Sequence, residues 1–128
     1  MARVLVIDDS PTAVHFVRSV LAQDGHEVLD LESFVDLPKV LRSLPEILRN
    51  QPPDVVLLDL ELPSLHGRSF ARFIRQFERD SIPILIYSGR PREELEETAK
   101  ESAAAGIIEK GASAEELRRT VLSVVSGR

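Results

Sequence analysis

The chain has 128 residues, enough for one domain with a sizeable core and too few for two. Leu, Ile, Val and Phe make up about a third of it, well above the range of disordered chains, and there is no cysteine, which excludes disulfide frameworks, thiol catalysis and thiolate metal sites. A net charge of −5 attracts neither nucleic acid nor anionic membrane, so the expected partners are proteins or small molecules.

Apolar runs stop at four residues, so neither a transmembrane helix nor a signal-peptide core is predicted, and a cytoplasmic protein is expected. The first run, Arg3 to Ile7, reads as a strand. A helix is predicted from Pro11 to Asp24, with Ser10 as N-cap, Val14, Val17 and Leu21 on one face and Gly25 as terminator. A weaker strand follows at Glu27 to Leu31. Between Ser33 and Asn50, LPKVLR at 37–42 recurs as LPEILR at 44–49. A proline inside a helix removes a hydrogen bond and clashes with the preceding turn, so two short helices capped by Asp36 and Ser43 are expected.

The second strong strand is Val55 to Leu58, and Phe70, Phe73, Ile74 and Phe77 then fall on one face of a helix from Gly67 to Glu78. Arg68, Arg72, Arg75 and Arg79 form the solvated face opposite. Ile84 to Tyr87 is the third strong strand. Arg92 to Ser102 is a helix with only Leu95 and Ala99 as anchors and a run of glutamates outside. A weak strand at Ile107 to Glu109 precedes a last helix, opened by the capping-box pair Ser113 and Glu116. His15, His26 and His66 have no metal-ligand spacing and read as structural or surface residues.

Five strands alternating with helices predict an α/β fold with an open, doubly wound, five-stranded parallel sheet, whose ligands bind beyond the carboxyl ends of the strands. Those ends carry Asp8 and Asp9, Asp59, Ser88 and Lys110. Taken singly, each is an ordinary cap, turn or surface residue. Together they gather three carboxylates into a small volume, where they repel one another unless a cation neutralises them. An oxygen-only ligand set with few carboxylates suits magnesium, which also grips phosphoryl oxygens. Lys110 adds a compact positive charge and Ser88 a hydroxyl donor, and Asp59 is the candidate nucleophile towards phosphorus.

At these residues the sequence resembles a known family. VLVIDDSP at 4–11, VVLLDLELP at 55–63 with Gly67, IPILIYSG at 82–89, Ala105-Gly106 and Lys110 look like the receiver domain of two-component response regulators, over essentially the whole chain. The resemblance implies a flavodoxin-like, CheY-like fold and a single receiver domain over 1–128, apparently stand-alone, with an enlarged segment between strands two and three. It implies Asp59 as phosphoacceptor. Magnesium would be held by Asp9, Asp59 and the backbone carbonyl of Glu61, with Asp8 acting through water. Ser88 would be the switch hydroxyl and Lys110 the phosphate partner. The phosphoryl donor would be a sensor histidine kinase, a phosphotransfer protein or a small acyl phosphate. A downstream protein partner would read the switch, and the protein would be a monomer or weak dimer. It would not be an enzyme beyond its own phosphorylation and dephosphorylation.

Three positions depart from the family pattern. Ile107 stands at the switch position usually held by an aromatic residue, Gly111 follows Lys110 where a proline is usual, and the chain is longer around Ser33 to Arg42. Two other functions compete. A pseudo-receiver would act as a scaffold without phosphorylation. An aspartate-nucleophile phosphatase of the haloacid dehalogenase type would want a second Asp two residues after the nucleophile, at the domain's first strand, whereas position 61 is Glu and the motif lies mid-chain.

Overall fold

A computed structural model describes residues 2–30, 46–60, 82–102 and 104–126. The strands are β1 (Arg3–Ile7), β2 (Glu27–Asp30), β3 (Val55–Leu58), β4 (Ile84–Ser88) and β5 (Gly106–Glu109). They form one parallel sheet in the order β2-β1-β3-β4-β5. Order reverses between β1 and β3, which places the binding crevice at their carboxyl ends. In register, Leu5 sits opposite Val56, Leu57 opposite Leu85 and Ile86 opposite Ile107. The expected five-stranded doubly wound architecture is observed. Three strand bounds shift: β4 includes Ser88, β5 starts at Gly106, and β2 is described only to Asp30.

Burial explains the near-continuous apolar strands. All of β3 and β4 is buried, because helices cover a parallel sheet on both faces. On one face Val4, Val6, Val55, Leu57, Leu85, Tyr87 and Ile108 pack against α1 (Pro11–Ala22) and the C-terminal helix, here α3 (Ala114–Ser126). On the other, Ile86 and Leu60 meet Leu95 of α2 (Arg92–Ser102), with Ala99, Ala104 and Ile107 at the margin. Thr98, not expected from the sequence, is a further buried residue of α2.

Local signals set the helix ends. Ser10 Oγ accepts the Ala13 N–H at 3.2 Å, and Pro11 occupies the first turn, where no amide donor is needed. The helix stops at Ala22 rather than Asp24, because residues 23–25 turn to bring Gly25 to φ 77°, a conformation that favours glycine. Ser113 Oγ accepts the Glu116 N–H at 3.1 Å and so caps α3. The helical segment 46–50 agrees with the second of the two short helices expected there. The first, with the caps Asp36 and Ser43, lies outside the described residues. So do the 33–42 extension, the Gly67–Glu78 helix with its phenylalanines and arginines, and His66.

At the amino edge of the sheet His26 is structural, its Nδ1 accepting the Ala2 N–H at 3.0 Å, while Asp54 accepts the Arg3 N–H at 2.8 Å. Arg118 of α3 holds Asp24 through two bonds of 2.7 and 2.8 Å.

Leu21 has no exposed surface and seats α1 on the sheet. Leu21→Ala is expected to destabilise the fold by about 2–5 kcal/mol in urea titration, through lost transfer energy and the cavity left behind. A loss below about 1 kcal/mol would contradict this packing.

Candidate functional site

Four strand ends build the site. Asp8 and Asp9 follow β1, Asp59 follows β3, and Lys110 follows β5, whose neighbour β4 ends in Ser88. The Asp59 N–H extends the ladder to the Ile7 carbonyl at 3.0 Å, and the Lys110 N–H reaches the Ser88 carbonyl at 2.7 Å. Asp59, Ser88 and Lys110 are thus held by the backbone ladder of the sheet. Asp8, Asp9 and Asp59 each offer a carboxylate oxygen within 4.8 Å of the others, which fulfils the expected convergence.

Burial separates their roles. Asp59 is 2% exposed and Asp8 5%, whereas Asp9 faces solvent. Asp8 Oδ1 accepts the Ser10 N–H at 2.8 Å and so shapes the turn into α1. Its other oxygen, Oδ2, is buried and pairs with the Lys110 ammonium, whose Nζ lies 2.9 Å away. The same ammonium stands 3.5 Å from Asp59. Burial alone pulls the Lys110 ammonium towards neutrality, but Asp8 and Asp59 outweigh it, so its pKa is raised. Ser88 Oγ accepts the Arg90 N–H at 3.3 Å and retains a hydroxyl proton of its own to donate.

The donor set fits a hard divalent ion. Oxygens from two buried carboxylates and one exposed carboxylate converge, a single ammonium stands against them, and Asp9 leaves the site open to water. Glu61, whose carbonyl the resemblance assigns to the metal, lies outside the described residues.

A family model, the response regulator receiver domain, matches residues 4–122. The chain belongs to the response regulator receiver family. It is 31% identical to protein PilH of Pseudomonas aeruginosa over 128 residues, covering 99% of this chain and 100% of PilH. Other relatives are longer: the sensor histidine kinase TmoS of Ectopseudomonas mendocina is 30% identical over 97% of this chain, which matches 12% of TmoS. A crystal structure of the chemotaxis protein CheY4 of Vibrio cholerae superposes with a TM-score of 0.79 at 26% identity, covering 97% of this chain and 98% of that one. This receiver is therefore a phosphorylation-controlled signalling module of the CheY-like fold. Receivers generally bind Mg2+ in an acidic pocket and work with histidine kinases or phosphotransfer partners. Among the described residues no helix is long and apolar enough to cross a membrane.

Two neighbours of the site were not expected from the sequence. The Tyr87 ring lies 5.6 Å from the Lys110 Nζ, and Arg92 binds Glu109 at 2.8 Å and Glu116 at 3.7 Å, tying α2 to the residue before Lys110. Register and chain crossing decide both contacts, and neither is written in the local pattern.

Lys110→Met is expected to destabilise the protein by about 3–5 kcal/mol in buffer without divalent ions, because it leaves the buried carboxylates without their ammonium. A group with a raised folded pKa stabilises fully below its unfolded value, about 10.4 for lysine, and loses that contribution as pH rises through the folded value. Wild-type stability should thus fall at alkaline pH, and the Lys110→Met curve should be flatter there. Identical alkaline limbs in chemical denaturation would refute the ion pairing.

Proposed function

We propose that Asp59 is the phosphoacceptor of a single receiver domain spanning residues 1–128. The observation that carries this reading is the 2%-exposed Asp59 carboxylate, brought within reach of two further carboxylates and one ammonium at the crevice of the sheet. One Asp59 oxygen attacks phosphorus, forming an O–P bond, while the bond to the donor breaks. The donor's leaving group, an imidazole nitrogen of a phosphohistidine or the carboxylate of an acyl phosphate, departs with the electron pair. Water can later attack the same phosphorus and restore the carboxylate.

Each neighbour has a stated task. Lys110 moves its charge from the carboxylates to the phosphoryl oxygens, as a compact ammonium on a flexible stem can. Ser88 donates its hydroxyl proton to another of those oxygens, which draws the turn at Ser88 towards Asp59. Asp9 and Asp59, with the carbonyl of Glu61, would hold Mg2+ directly and Asp8 would act through water. That ion would supply the charge neutralisation on which phosphoryl transfer depends. The phosphoryl donor is a sensor histidine kinase or phosphotransfer protein of the cytoplasm, and a protein partner reads the shifted equilibrium, in a monomer or weak dimer. The module catalyses only its own phosphorylation and dephosphorylation.

Intact-mass measurement after incubation with acetyl phosphate and Mg2+ is expected to show a gain of one phosphoryl group in the wild type. Asp59→Asn should show none, chelation of the metal should abolish the gain, and Ser88→Ala should slow it. Loss of activation in Lys110→Met without loss of the mass gain would place that lysine in switching rather than acceptance. A wild type that gains nothing from any donor is a scaffold, and the proposal fails.

A further inference from the structure

We propose that the Tyr87 ring is the positioning device for Lys110, holding the ammonium over the Asp8 and Asp59 carboxylates through its π face. The proposal rests on the acceptor reading of the site but concerns the placement of the lysine. Tyr87 pairs in register with Ile108, and side chains two apart on a strand share a face, so the path from Ile108 to Lys110 returns the lysine to the side of Tyr87. Leu85, Tyr87 and Ile108 are all buried against α1 and α3, and Tyr87 is 4% exposed, so packing fixes its ring. The Lys110 Nζ stands 5.6 Å from the ring centroid, within the roughly 6 Å at which a ring quadrupole attracts an ammonium.

The surroundings give the ring a reason. The residue after Lys110 is Gly111 at φ 98°, a shape closed to proline, whose ring fixes φ near −65°. Nothing lies within 4 Å of where a Cβ on Gly111 would stand, so the residue after the lysine borders open space rather than packed side chains. Two carboxylates attract the ammonium from one side. The Tyr87 ring faces it from another, desolvated enough for its quadrupole to count, and this holds the charge near the acids when phosphate competes for it. The π face is what matters, so the phenolic oxygen is dispensable.

The test uses the whole protein. Lys110 is one of three lysines and Tyr87 is the only tyrosine, so Lys110 can be followed by NMR with 13C-labelled lysine, its signal assigned by its absence in Lys110→Met. The Lys110 Hε resonance is expected upfield of those of Lys39 and Lys100, since protons over an aromatic face are shielded. Tyr87→Phe should keep that shift and Tyr87→Leu lose it. The rate of phosphoryl gain from acetyl phosphate should change little in Tyr87→Phe and fall about threefold to tenfold in Tyr87→Leu, the span of a partly desolvated cation–π contact. Should the leucine variant not fold, Tyr87→Met removes the ring with a more adaptable side chain. A wild-type Lys110 signal at the position of the other two lysines, or one unmoved when the ring is removed, overturns the proposal. A wild type that accepts no phosphoryl group sinks the acceptor reading alone, and the shift still decides where the lysine sits.

Discussion

Three carboxylates and one ammonium share the crevice between β1, β3 and β5, and the balance among their charges governs the rest of the molecule. Two carboxylates less than 4.8 Å apart repel by on the order of 3 kcal/mol at a protein-like dielectric constant, and here two of the three are buried. A fold of ordinary stability cannot leave such repulsion unanswered. Lys110 answers part of it, through contacts of 2.9 Å to Asp8 and 3.5 Å to Asp59. The remainder is a standing demand for a cation, and under the proposed function a phosphoryl group arriving with its own negative oxygens competes for Lys110. The strain of the resting site and its responsiveness have one origin.

That origin also explains what the sheet is for. The Asp59 and Lys110 amides are bonded to strand carbonyls at 3.0 and 2.7 Å, so these two charged side chains stand on the backbone ladder of the sheet. Apolar runs that read as ordinary strands fix the positions of acids separated by about 50 residues in the chain, as a parallel sheet does when consecutive crossovers return every strand end to one edge.

The parts legible in the sequence are those whose signals are local. Continuous Val, Ile and Leu in β1, β3 and β4, the Ser10 and Ser113 caps and the placement of polar residues at strand ends all appear in the structure as expected. Convergence of Asp8, Asp9 and Asp59 followed from topology, because strand ends of a parallel sheet meet. Tyr87 is an aromatic one strand away from Ile107, but its side chain points to the opposite face of the sheet, so it cannot stand in at that position. The same parity sets it beside Lys110, and only the register of Tyr87 with Ile108 discloses it. The contact of Arg92 with Glu109 and Glu116 spans separate elements and had no pattern to announce it.

Under the proposed function, the path away from the site is short and differs in kind from an aromatic switch. Ile107 pairs with Ile86, two residues before Ser88, so Ile107 and the Ser88 hydroxyl share a face of the sheet with Leu95 and Ala99 of α2. A β-branched side chain is stiff at χ1, and an isoleucine packed among aliphatic neighbours has no polar end to move between solvent and core. Transmission at this face therefore has to use backbone. Only Gly89, Arg90 and Pro91 separate Ser88 from α2, and Arg92 at its start grips Glu109, the residue before Lys110. A pull on the Ser88 turn must either carry the start of α2 or break contacts that are exposed and individually worth little. The tie links α2, β5 and α3 in the resting protein and, under the proposed function, is weak enough to yield when phosphate claims Ser88 and Lys110 together.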